Sequence, residues 1–409
     1  MDKDNKTLQN SEAQDTAQEN AQDNARNTAD NSTHSKLQQQ EDALAKEKKA
    51  KPFDPYAPHK IKWWGWPLLV LLIVGTIYVY QTSHAPAGDS AGALGKVWKA
   101  EEVARSEGQV FGTFYHITYQ SSADLQSGID STLAKVDASL SPFNKHSVIT
   151  AINNNTDMAA DSMFAEVFTL AKSVSEATDG AFDITVAPLV NLWGFGFKNA
   201  DNVTDERIDS IMQLVGFKKV RMENGMVKKD NEQIMLDCSA IAKGYGVDAV
   251  GRYLESRGVK NYMVEIGGEV RLRGTNPKGM LWKIGINSPK DDPSGQNNDI
   301  ERVLQLTQMS MATSGNYRNF YEKDGKKWAH TIDPRTGRPV QHNILSSTVL
   351  APDCAKADAF ATAFMVLGLE KAQEVLRHNN ELMAFFIYAD ENGEMKEWYT
   401  ESMKALIAE

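Results

Sequence analysis

The chain has 409 residues, a formal net charge of −10 and a pI near 5.4. That length leaves room for two or three domains, while the acidic balance excludes the basic face that a nucleic-acid-binding protein needs. Only Cys238 and Cys354 are present, too few for a disulfide framework, and the sequence leaves open whether the two pair.

Residues 1–62 are rich in Asn, Gln, Asp, Ala and Lys and nearly free of large apolar side chains. They bury too little surface to offset the entropy of ordering, so this tail is expected to be disordered. Trp63 to Tyr80 is the one long apolar run; as a helix it measures roughly 27 Å, close to the hydrocarbon thickness of a bilayer. Trp63, Trp64, Trp66, Tyr78 and Tyr80 put aromatic residues at both ends, as interfacial belts require. Lys46, Lys48, Lys49, Lys51, Lys60 and Lys62 precede the run, and no Lys or Arg follows until Lys96. The positive-inside rule therefore predicts a single membrane span with a cytoplasmic N-terminus. A cleaved signal peptide would need a much shorter n-region, and no Cys directly follows the run to carry a lipid.

Residues 81–105 read as a linker of small residues, and 106–409 as the folded part. Alternation predicts a strand over Gln109 to Gln120, and apolar residues three and four apart predict helices over Leu125 to Leu140, around Phe164 to Val174 up to Asp179-Gly180, and from Asp205, capped by Thr204, to Val215. Strands then dominate: Met226–Lys228, Ile234–Asp237, Tyr262–Ile266, Val270–Gly274, Trp282–Asn287, Val303–Ala312, Lys327–Ile332 and Ser347–Leu350. Two helices follow, split at Gly368. A hairpin, Met383–Ala389 and Glu394–Tyr399 around Asn392-Gly393, closes the chain. Helices interrupt runs of strands instead of alternating with them, which predicts an α+β class with a mixed or antiparallel sheet core and flanking helices.

The stretch Leu236 to Asp248 (LDCSAIAKGYGVD) reads as strand, loop and helix start. Gly244 and Gly246 allow close backbone approach, a helix N-terminus favours an anion, and Lys243 adds a cation, so a phosphate-bearing ligand suits it. A rival reading is the dinucleotide fingerprint, with Gly244, Gly246 and Ala249 at its spacing and Glu265 about 20 residues on. Against that rival, Asp237 to Lys243 separate the strand from the glycines.

Asp358 and Thr362 lie four apart on a helix that is apolar nearly all round, with Ala355, Ala357, Phe360, Ala361 and Phe364 beside them. A carboxylate and a hydroxyl on one face of a buried helix need partners, and Mg²⁺ accepts such oxygens. His330 ends a strand before an Asp333-Pro334-x-x-Gly337 turn. It is a candidate general base, with a structural histidine as the alternative.

Taken together, Gly112-Thr113-Phe114, Gly180 to Val186 (GAFDITV), Pro188 to Gly196, Leu236 to Asp248, Ile266-Gly267-Gly268-Glu269, Thr313-Ser314-Gly315, the His330 to Pro339 turn and Ala357 to Ala363 resemble the ApbE family, in the family's order over about residues 106–400. The resemblance implies a Mg²⁺-dependent FAD:protein FMN transferase. Such an enzyme takes FAD as substrate, links FMN by a phosphoester to a Ser or Thr hydroxyl of an acceptor protein, and releases AMP. By position, it implies Ala240, Asp358 and Thr362 as metal ligands, Ala181, Phe182, Asp183, Asp237, Lys243 and Ile332 as FAD contacts, and His330 as the base. Phe111 and Phe143 stand at flavin-side positions where the family usually has Met and often Tyr. It further implies an acceptor with a Ser/Thr-Gly-Ala-Ser/Thr motif, such as a subunit of a membrane redox pump. With the predicted span, the expectation is a bacterial inner-membrane protein whose catalytic domain is periplasmic. Hydrolysis of FAD to FMN and AMP, or a non-catalytic flavin-binding assembly factor, are the alternatives it leaves.

Overall fold

The computed structural model describes residues 95–195, 203–289, 299–315, 320–323, 326–329, 331–340 and 343–408. The tail, the Trp63 to Tyr80 run and His330 lie outside the described residues. Among the described residues no helix is long and apolar enough to cross a membrane.

Eight strands form one sheet: β1 (Val103–Val110), β2 (Thr113–Gln120), β3 (Tyr262–Ile266), β4 (Glu269–Arg273), β5 (Met309–Gly315), β6 (Ile344–Ala351), β7 (Met383–Ala389) and β8 (Met395–Tyr399). Their order in the sheet is their order in the chain, and every neighbouring pair is antiparallel. The α+β class with an antiparallel core is therefore what the chain adopts. The dinucleotide-fold reading fails on this topology. Gly244, Gly246 and Ala249 fall inside a helix, and Glu265 instead accepts the Gly268 N–H at 2.7 Å and pairs with His116 at 2.7 Å.

The helices are α1 (Gln126–Leu140), α2 (Val148–Asn153), α3 (Ser162–Ala177), α4 (Ala187–Leu192), α5 (Asp205–Met212), α6 (Ala242–Ser256), α7 (Cys354–Leu367) and α8 (Leu369–Arg377). All of α1 to α6 enter between β2 and β3. Thr204 caps α5 as the sequence predicts, accepting the Arg207 N–H at 3.4 Å. Helices α6 and α7 pack on one face of the sheet, where Ala312, Val349, Ala351, Ala384 and Phe386 meet Ala357, Phe360 and Phe364. Alternate residues, Val270, Leu272, Met311, Leu350, Phe385 and Ile387, turn to the other face against Trp98, Trp282 and Leu304. This two-residue period is what lets one sheet carry two cores.

Several boundaries differ from the sequence reading. β1 starts at Val103, inside the stretch read as linker, and Trp98 is already buried. The stretch from Gln109 to Gln120 is not one strand, because Phe111 and Gly112 take φ of +53° and +74° and fold it into a hairpin. Val303 to Ala312 also breaks, at Gln308, φ +53°, between Ile300–Leu306, which pairs with Trp282–Asn287 outside the main sheet, and β5. Ile234 to Asp237 joins no sheet. Its backbone bonds instead to the Asn153 side chain, which accepts from Leu236 N at 2.7 Å and donates to its carbonyl at 2.9 Å, and to Ile184, whose carbonyl accepts from Asp237 N at 2.7 Å. With those groups satisfied locally, an apolar run needs no neighbouring strand. Cys238 and Cys354 are both buried and unpaired.

Candidate active site

The start of α6 meets the middle of α7 over the ends of β4 and β5. Gly244, in the first turn of α6, donates its N–H to Asp358 Oδ2 at 3.0 Å. Contact this close needs glycine, since a Cβ at position 244 would lie 2.4 Å from the Cys354 carbonyl oxygen. A free N–H at a helix start is a natural partner for a carboxylate, so α7 caps α6 from outside. Thr362, one turn after Asp358, is half-buried and shares a hydrogen bond of 3.1 Å with Ser314 at the end of β5.

Lys243 pairs with Glu269, the first residue of β4. The Lys243 side chain is 32% exposed and that of Glu269 only 3%. Burial works against the Lys243 charge, but the carboxylates of Asp358 and Glu269 outweigh it and hold the ammonium above its ordinary value. Burial pushes the Glu269 carboxyl up; Lys243 opposes the shift and Asp358 adds to it. The chain thus keeps two carboxylates and one ammonium in a small, mostly buried volume.

A second group of motif residues gathers beside this one. Ala181 and Phe182 are buried, and Phe182 N donates to Thr178 Oγ1 at 3.2 Å. Asp183, also buried, accepts from the Thr185 N–H and hydroxyl, each at 2.7 Å, and from the Phe217 N–H at 2.6 Å. Burial nevertheless raises its carboxyl above the usual range, these donors offsetting only part of that cost. Arg335 forks onto Asp333 at 2.9 and 2.8 Å beside Gly180, and Trp193 donates to the Gly337 carbonyl at 2.8 Å. Ile332 is buried with Leu189 and Trp193. Asp237 accepts from Ser239 N and Oγ at 2.8 and 2.5 Å. Its own N–H on Ile184 ties this group to the segment that leads into α6.

Of the residues singled out from sequence, Lys243, Asp358 and Thr362 converge at the α6–α7 contact, and Ala240 directly precedes the Ile241 N-cap of α6. Ala181, Phe182, Asp183, Asp237 and Ile332 form the neighbouring group. Phe111 lies over α6, close enough that a Cβ on Gly246 would sit 2.5 Å from its ring. Phe143 stands exposed on the turn after α1, and its place in the site rests on the resemblance alone. His330 is outside the described residues.

Glu269 and Ser314 are the residues whose roles sequence reasoning missed. Both sit in quoted motifs, Gly267-Gly268-Glu269 and Thr313-Ser314-Gly315, but their partners come from distant parts of the chain. Among the described residues no three His, Cys, Asp or Glu side chains gather as a metal site. The donors that could serve a metal are one carboxylate, one hydroxyl and a backbone carbonyl. That set of hard oxygens fits Mg²⁺, which leaves much of its shell to water and phosphate.

The ApbE family model matches residues 111–386. The FAD:protein FMN transferase of Vibrio cholerae is 36% identical over 321 residues, 76% of this chain and 94% of the relative. That of Haemophilus influenzae is 38% identical over 320 residues, 74% of this chain and 91% of the relative. The solved structure of the flavin transferase ApbE from Vibrio cholerae superposes with a TM-score of 0.68 at 36% identity, covering 75% of this chain and 99% of its own. The ApbE protein from Thermotoga maritima does so at 0.65 and 27% identity, covering 75% of this chain and 100% of its own. With the family model matched over residues 111–386, relatives 36% and 38% identical over most of their length and a matching fold, the chain belongs to the ApbE family.

Proposed function

We propose that this protein is a Mg²⁺-dependent FAD:protein FMN transferase, anchored in the bacterial inner membrane with its catalytic domain in the periplasm. The observation that carries the reading is the convergence of Lys243, Asp358 and the α6 N-terminus, an arrangement suited to a pyrophosphate. A hydroxyl oxygen of the acceptor attacks the FMN phosphorus of FAD, the P–O bond to the AMP phosphate breaks, and AMP leaves with the electron pair. Lys243 and the positive end of the α6 dipole offset the charge on the transferring and leaving phosphates. His330 takes the acceptor's hydroxyl proton. Ala240, Asp358 and Thr362 would hold Mg²⁺, which supplies charge neutralisation when bound. The Ala181 to Asp183 loop, Asp237 and Ile332 line the FAD site, with Phe111 and Phe143 on the flavin side. The acceptor is a protein carrying Ser/Thr-Gly-Ala-Ser/Thr, such as a membrane redox-pump subunit.

The test is an incubation of the full chain in detergent with FAD, Mg²⁺ and a small domain bearing that motif, read by intact mass and by AMP release. One FMN added per acceptor and one AMP released is the expected result, abolished by EDTA and by Asp358→Asn. Free FMN and AMP without labelling would replace the transferase by an FAD hydrolase. Bound FAD with no product at all would leave a flavin-binding assembly factor.

A further inference from the structure

Glu269 is costly where it stands. It is 3% exposed, and its Oε2 has no hydrogen-bond partner, while Oε1 alone holds Lys243. A buried carboxylate with one unsatisfied oxygen costs stability that the single contact to Lys243 offsets only in part. The backbone around it is fixed. Gly267 and Gly268 turn β3 into β4 at φ of +60° and +103°, with the Gly267 N–H on the Phe114 carbonyl and the Gly268 N–H on Glu265. That turn aims the first side chain of β4 at the start of α6.

Lys243 faces two carboxylates, Glu269 in contact and Asp358 through its charge. Were the ammonium to collapse onto Asp358, both the cation and the carboxylate would be lost to an incoming pyrophosphate. Resting on the proposed transferase reading, we infer that Glu269 is a positioning residue: it holds the Lys243 ammonium away from Asp358 and directed toward the phosphates of FAD. The unsatisfied Oε2 lies beside the oxygen already in use. The ammonium can therefore pivot across the carboxylate as an anion arrives and stay paired throughout.

A role exercised through Lys243 makes a specific demand on a double-mutant cycle. In the full chain, Glu269→Gln lowers kcat for FMN transfer at least tenfold while the KM for FAD moves less than threefold. In a Lys243→Met background the same Glu269→Gln change costs less than twofold. Glu269→Met with Lys243→Met removes both charges together, a change buried pairs tolerate, and gives kinetics equal to Lys243→Met alone even if Glu269→Gln folds poorly. Equal activity of Glu269→Gln and the parent chain would overturn the inference, and so would losses that multiply independently in the cycle. Absence of transfer by the parent chain itself would instead sink the transferase reading on which the inference rests.

Discussion

Asp183 illustrates how a residue on a ligand-contact motif can also hold the fold. Its carboxylate accepts three hydrogen bonds, two from Thr185 and one from Phe217, while the Thr185 hydroxyl accepts the Gly216 N–H at 2.7 Å. One side chain therefore joins the Gly180 loop to the turn after α5. Asp183→Asn turns an amide N–H toward a donor and should cost about 1–3 kcal/mol, the usual penalty for a buried group left unsatisfied. Because burial raises this carboxyl above its ordinary 3.8, the folded state binds its proton more tightly than the unfolded chain does. The stability it contributes is full below 3.8 and is lost as pH rises through the raised value. Urea unfolding of both proteins from pH 3 to 7 checks the two claims together. The parent chain should show this group's downward slope and Asp183→Asn should lack it; identical profiles would show that the group does not titrate differently on folding.

At the scale of elements, the catalytic reading depends on how α6 crosses α7. The crossing is set by Gly244 and by a clasp in which Asp248 accepts the N–H groups of Cys354 and Ala355 at 3.0 and 2.9 Å, with Arg271 on the same carboxylate at 2.6 Å. Asp248 on α6 is thus the N-terminal cap of α7, as Asp358 on α7 is the external cap of α6. Gly244→Ala places a methyl group against Cys354 backbone, which cannot rotate away as a side chain would. The helices must separate, at about 1–3 kcal/mol for overpacking, and the Gly244–Asp358 hydrogen bond lengthens. FMN transfer should then fall more than tenfold in a protein that still unfolds cooperatively. Unchanged turnover would mean that the site does not depend on this crossing.

The helices and most strands of this assembly are legible in sequence because each follows one period or forms an apolar run bounded by turn residues. Trp282–Asn287 alternates against a core, Met383–Ala389 is a short apolar run buried on both faces, and Gly368, at φ +77°, marks the break between α7 and α8. The reading fails where a turn is built on residues that do not advertise it. Phe111 and Gln308 enter the left-handed region without being glycine, so a hairpin at Phe111 and a crossing between two sheets at Gln308 both look like continuous strands. Within the site, the separate motifs are visible but the contacts between them are not. Lys243 and Glu269 are 26 residues apart, Gly244 and Asp358 are 114 apart, and only the meander of the sheet joins them.

For the whole molecule, the proposed location decides how the catalytic part meets its acceptor. An acceptor displayed on a membrane protein would be met far more often by an enzyme held at the same surface, because tethering replaces a search in three dimensions with a local concentration. In the proposed anchoring, the Trp63 to Tyr80 run and the small-residue stretch after it would provide such a tether, with the six lysines from Lys46 to Lys62 held on the cytoplasmic side. The full chain should therefore sediment with membranes and resist alkaline carbonate extraction, whereas a chain beginning at Ala91 should be soluble. In spheroplasts, added protease should cut between Gln81 and Leu94 and release a fragment containing the sheet, with an epitope at the N-terminus protected until the membrane is broken. Six Lys→Glu changes from Lys46 to Lys62 remove the charge that fixes orientation, so the protected and exposed ends should then be mixed or exchanged. Release of the full chain by carbonate would remove the anchor from the proposal. Protection of the sheet-containing fragment would put the catalytic part on the cytoplasmic side, and with it the acceptor it modifies.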